Sequence, residues 1–188
     1  MKRAFAAIVL FAIVPFAAIA IAQSGIESSL TRSELESLLH VPAADYQREW
    51  VLLGSFSVRA DDPEKGAKEL HVVYAEPKSV EIYRESGVFP DGAILVKDVF
   101  ATNTEALTTG IVSYADTLKG RFVMVKDETD RYAEESPLWG DGWGWAFYGG
   151  AETQKTITTD YRKDCLGCHE PARSQDLIYV QGYPILKR

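Results

Sequence analysis

The short run Cys165-Leu166-Gly167-Cys168-His169, close to the C-terminus, limits this chain more than any other feature. It holds both of the chain's cysteines, so no thiol is left for a bridge elsewhere. A scaffold stapled by several disulfides is thereby excluded, and an apolar core must hold the fold. Two thiols separated by two residues and followed by an imidazole carry a specific chemistry. The thiols add to the vinyl groups of a haem, and the histidine reaches the iron from the proximal side. Zinc would want four Cys or His donors, and the remaining His40 and His71 have no paired spacing. A thioredoxin-like pair would want a βαβ setting, whereas this run closes a strand-rich chain. The motif predicts one covalent haem c, attached through Cys165 and Cys168, with His169 as the metal ligand.

The first residues carry an address. Lys2 and Arg3 precede an uncharged apolar run from Ala4 to Ala22, which ends in the small-x-small pattern Ala20-Ile21-Ala22. This predicts a signal peptide over 1–22, cut before Gln23, and a periplasmic protein with no membrane segment after cleavage. A retained anchor is the alternative, because the run approaches the length of a membrane span. Removing 22 residues leaves 166 of the 188, enough for one domain, 23–188, with its own core. The net charge of −7 argues against a nucleic-acid partner, which would need a basic face. It suits docking to a basic redox partner.

Periodicity predicts a mainly β (α+β) fold, an antiparallel sheet with a few short helices. Thr31-Arg32-Ser33-Glu34 reads as a capping box opening a helix through Leu39. Strands are expected at 49–58, 70–75, 93–101, 110–114 and 121–125, with turns at Asp61-Asp62-Pro63, Pro90-Asp91-Gly92 and Lys119-Gly120. Pro77 to Glu85 reads as a helix stopped by Gly87. In the aromatic stretch 139–150, Trp143, Trp145 and Phe147 alternate and would share one strand face. They serve either as ordinary core or as a wall for a flat ligand.

A sixth iron ligand is hard to find. Past the leader one methionine remains, Met124, inside the apolar run Phe122-Val123-Met124-Val125 where a packing role suits it. His71 sits in a predicted strand, and His40 at a helix C-terminus where partial positive charge is favoured. We therefore expect five-coordinate iron with an open face for small molecules. Lys97 shares a predicted strand face with Ala93, Leu95 and Val99, where an ammonium is costly. Either it snorkels to water from an edge strand, or it is held neutral as a nucleophile.

Several ordered segments carry a family resemblance. They are Trp50-Val51-Leu52-Leu53-Gly54, His71-Val72-Val73-Tyr74 with Pro77, Gly87 to Gly92 followed by Val96-Lys97, Val125-Lys126-Asp127, Trp145-Ala146-Phe147-Tyr148, the Cys165–His169 motif, and Tyr183-Pro184 with Leu186. Together they resemble the cytochrome P-460 family, including its relative cytochrome c′-beta, over about residues 50–186. The resemblance implies an antiparallel β fold, a homodimer and a haem that is five-coordinate at rest. It also implies a lysine nitrogen bonded to a meso carbon of the porphyrin, a role that falls on Lys97. Phe89 matches the position of an aromatic lining the distal pocket. A distal carboxylate before the haem motif accompanies hydroxylamine oxidation in the family. Here the segment 158–164 departs from the pattern, and Asp160 is the candidate, with a turn or helix cap as its alternative role.

The resemblance thus implies a periplasmic mono-haem oxidoreductase. It would oxidise hydroxylamine to nitric oxide or nitrous oxide, with Lys97 and Asp160 as catalytic residues and a soluble c-type cytochrome as electron acceptor. A cytochrome c′-beta-like nitric oxide binder without turnover is the second reading, and an electron carrier ligated by Met124 or His71 the third.

Overall fold

The computed structural model describes residues 30–187. The predicted leader and its cleavage site lie outside them. Among the described residues no helix is long and apolar enough to cross a membrane.

The chain begins with α1 (Arg32–Ser37) and α2 (Tyr46–Glu49). The expected capping box is present: Thr31 Oγ1 accepts from the Glu34 N–H, and the Glu34 carboxylate accepts from the Thr31 N–H at 2.7 Å. Strands β1 (Val51–Arg59) and β2 (Ala67–Ala75) follow, then α3 (Pro77–Ser86). Gly87 ends α3 in the left-handed conformation at φ 91°, donating its N–H to the Tyr83 carbonyl. The strands β3 (Ile94–Leu107), β4 (Gly110–Lys126), β5 (Trp139–Gly140) and β6 (Trp143–Gly149) complete the sheet. Its order is β1-β2-β3-β4-β6-β5 with every pairing antiparallel, so the fold is mainly β with a few short helices. After it come α4 (Tyr161–Asp164), α5 (Leu166–His169) and three 3-10 turns.

The predicted break at Lys119-Gly120 is absent, and the two expected strands are one 17-residue β4. Gly120 serves close approach instead of a turn. A Cβ there would lie 2.4 Å from the Tyr148 carbonyl oxygen and 2.7 Å from the Phe147 ring. The register shifts opposite it, at Val99 and Phe100, which lets the long hairpin bend without ending. Strand β3 also runs on to Leu107 through Thr102 and Thr104, whose branched side chains suit a strand despite their polarity.

Both faces of the sheet are covered. Leu39 and Val41, between α1 and α2, and Tyr46 of α2 pack on Val96, Val123, Val125, Ala146 and Tyr148. On the opposite face α3 and the C-terminal segment pack on Val73, Leu95, Met124, Trp143 and Trp145. The face of β3 covered by the N-terminal segment carries a fully buried carboxylate, Asp98. It accepts from Tyr46 Oη at 2.7 Å and Gln47 Nε2 at 2.5 Å, and Arg121 Nε stands 3.5 Å away. The Arg121 guanidinium also donates to Tyr46 Oη at 2.8 Å, which closes the network. Replacing Asp98 by Ala strands a guanidinium and a phenol. We expect a loss of about 3–5 kcal/mol, read as a lower urea midpoint with little change in slope.

Candidate functional site

Alternation along the strands decides which side chains meet. Val73, Lys97 and Phe122 occupy one cross-strand row, and Leu95, Met124 and Trp145 the next. These residues form the sheet wall of a cavity of about 320 Å³, together with Phe56 and His71. The other wall comes from the C-terminal segment: Cys165, Cys168, His169, Ile178, Tyr179 and Tyr183. Most of this lining is apolar or aromatic, which suits a large flat group.

Local chemistry sets up the second wall. The Asp160 carboxylate caps α4 by accepting from the Arg162 N–H at 3.0 Å. One turn later α5 brings Cys165, Cys168 and His169 to the cavity. Cys165 is buried and Cys168 exposed. Burial pushes the Cys165 thiol up to about 11, so it stays protonated at neutral pH.

His169 is oriented by the backbone. Its Nδ1 lies 2.7 Å from the Leu177 carbonyl oxygen, which only accepts, so Nδ1 carries the proton. Nε2 then keeps its lone pair, as a metal ligand must. Burial lowers the imidazole's pKa and favours the neutral form, with the Leu177 carbonyl opposing and Lys97 assisting. The Trp145 ring meets it edge-on at 4.9 Å and is backed by Tyr161, stacked at 5.9 Å.

Lys97 lies in the sheet interior between β2 and β4, so it is not an edge residue snorkelling away. Its Nζ sits 4.2 Å over the Phe122 ring, and burial is the first cause that lowers its pKa. A larger neutral fraction makes the amine a better nucleophile. His71 lines the same cavity with Nε2 3.1 Å from Glu69 Oε2, and Glu69 in turn pairs with Lys119. Desolvation lowers the His71 pKa, partly opposed by Glu69.

The structure brings Lys97, Cys165, Cys168 and His169 to one cavity, but neither Asp160 nor Phe89 lines it. Asp160 is occupied by its cap and by Lys163 at 3.2 Å, the alternative role foreseen for it. Phe89 is buried between Tyr83, at 4.6 Å, and Trp143, at 6.0 Å. Phe56 and Phe122 are the phenylalanines of the lining, and sequence reasoning missed both. No sequence signal marked Phe122, whose place follows from its pairing with Lys97 across β3 and β4. Met124 and His71, considered as sixth ligands, both stand on the sheet wall.

The donor set fits a haem. Among the described residues no three His, Cys, Asp or Glu side chains form a metal-ion site, whereas two thiols and an imidazole face an apolar, aromatic-walled cavity. The family model described as Cytochrome P460 matches residues 43–180, from just before α2 past the Cys165–His169 motif. No curated protein matches the chain significantly.

Attachment through both thiols has a direct readout. With Lys97 also replaced by Ala, so that its amine cannot tie the porphyrin, the Cys165→Ser/Cys168→Ser variant should release its haem into acidified organic solvent, while Lys97→Ala alone and His169→Ala keep it after denaturation.

Proposed function

The chain belongs to the cytochrome P460 family, and from that membership we propose a mono-haem c-type oxidoreductase that oxidises hydroxylamine. The observation that carries this reading is the convergence of Lys97, Cys165, Cys168 and His169 on one cavity. Cys165 and Cys168 hold the haem and His169 ligates its iron. When bound, the haem supplies an open iron position for a small nitrogenous molecule and takes up its electrons. We further assign residues 23–188 to one exported, periplasmic domain that works as a homodimer and passes electrons to a soluble c-type acceptor.

Lys97 would tune the haem by bonding to a meso carbon, a link that would replace one N–H and one C–H and need an external two-electron oxidant to take up the two electrons. The lowered pKa of the amine supports this role. Protons leaving the substrate need an acceptor inside the cavity. With Asp160 capping α4, we assign that role to His71, held neutral by burial and hydrogen-bonded to Glu69.

One observation favours a second reading, a cytochrome c′-beta-like nitric oxide binder. No carboxylate lines the cavity among the described residues, and such apolar walls suit a neutral diatomic ligand.

The ferrous absorption spectrum separates the readings. A strongly red-shifted, broadened Soret band is expected; an ordinary high-spin c-type spectrum overturns the cross-link. Low-spin bands in both oxidation states indicate an electron carrier with Met124 or His71 as sixth ligand. Lys97→Ala should keep its haem and lose hydroxylamine oxidation, and unchanged turnover would reduce Lys97 to a packing residue.

The pH profile tests His71. Its environment comprises Glu69 on its own strand, Lys97 on β3, Lys119 on β4, and Cys168, His169, Tyr179 and Tyr183 across the cavity. Turnover should rise with pH through a value below the ordinary 6.5 of histidine, because the base must be unprotonated. His71→Gln should remove that acid limb and cost about 10²–10⁴-fold in rate.

A further inference from the structure

Lys126 has no part in the cavity, yet it is buried at the end of β4, where charge is costly without a partner. Its partner is Asp176, with Nζ to Oδ1 at 2.7 Å. The same ammonium lies 4.8 Å from the centre of the Trp143 ring. Trp143, fully buried on β6, donates its indole N–H to the Asp176 carbonyl at 3.0 Å. Two sheet residues therefore grip one residue of the C-terminal segment, one by its side chain and the other by its backbone.

What they grip is a strained turn. Asp176 and Leu177 both have left-handed backbone, at φ 59° and 62°. Such conformations are uncommon in residues other than glycine, most of all for a bulky side chain such as that of Leu177, and persist where the surroundings over-determine them. The turn's second residue, Leu177, presents the carbonyl that accepts from His169 Nδ1 at 2.7 Å. Its own N–H donates to the Ala172 carbonyl at 3.0 Å, and its side chain is buried in the core. The second oxygen of the Asp176 carboxylate has no partner among the described residues, so compensation of its charge rests on Lys126.

We propose that Lys126, Asp176 and Trp143 are positioning residues for the proximal ligand, holding the Leu177 carbonyl against His169 and so setting the donor strength of its imidazole. The inference rests on His169 as iron ligand. A carbonyl accepting from the far ring nitrogen raises ligand basicity and fixes ring orientation. If the clamp is removed, the turn relaxes, the bond from Nδ1 weakens and the imidazole becomes a poorer donor to iron.

The test uses the haem-loaded protein in its ferrous form. Lys126→Met removes the ammonium; Asp176→Asn removes the charge with a residue that tolerates left-handed backbone. In both, the iron–imidazole stretch seen by resonance Raman should move to lower frequency and the midpoint potential should rise. Lys126→Arg, which keeps the charge, should move both back toward the starting values. If Lys126→Met fails to fold, Asp176→Gly serves, since it fits the turn and removes only the carboxylate. Lowered thermal stability with stretch and potential unchanged would overturn the proposal and leave the pair a structural clamp. An unaltered protein with no iron–imidazole stretch would instead overturn the five-coordinate, His169-ligated iron on which the proposal rests.

Discussion

The hydrogen-bonded register of β2, β3, β4 and β6 sets Val73, Lys97, Phe122 and Phe147 in one row, and Ala75, Leu95, Met124 and Trp145 in the next. Everything on the sheet side of the cavity depends on that alignment. A slip of one residue would turn every side chain of β3 to the other face. Lys97 would then face Tyr46 and Arg121, and Asp98 would enter an apolar cavity. The register is therefore pinned chemically as well as by packing, because Asp98 finds its partners on one face only. Neighbouring residues Lys97 and Asp98 carry opposite charges to opposite sides of one strand, each to the side that tolerates it.

Elements with strong local signals were legible in the sequence. The capping box at Thr31, the helix from Pro77 to Gly87 and the alternation of Trp143, Trp145 and Phe147 all follow from local chemistry. The break at Gly120 was misread because glycine serves turns and close contacts alike, and only the packed Phe147 ring distinguishes them. The polar end of β3 was missed because apolar periodicity does not report on threonine-rich strands.

The site was legible in a similar, uneven way. Adjacent residues announce themselves, so the motif at Cys165–His169 was plain, and the cost of burying an ammonium pointed to Lys97. Phe89 and Asp160 were placed by resemblance, yet each is engaged elsewhere, in the core and at a helix cap. Phe56, Phe122 and the grip of Lys126 on Asp176 depend on pairing between distant segments. Single-sequence reasoning has no access to such long-range register until the sheet order is known.

The two thiols differ in reach, and this has a consequence for how the protein is made. Cys168 is open to solvent, while Cys165 is enclosed and its thiol held protonated by burial. A finished fold would let an assembly enzyme approach one sulfur and shut it away from the other. If haem is attached through both thiols as proposed, the thioethers would have to form on an open C-terminal segment, before it closes on the sheet with its cargo already tethered.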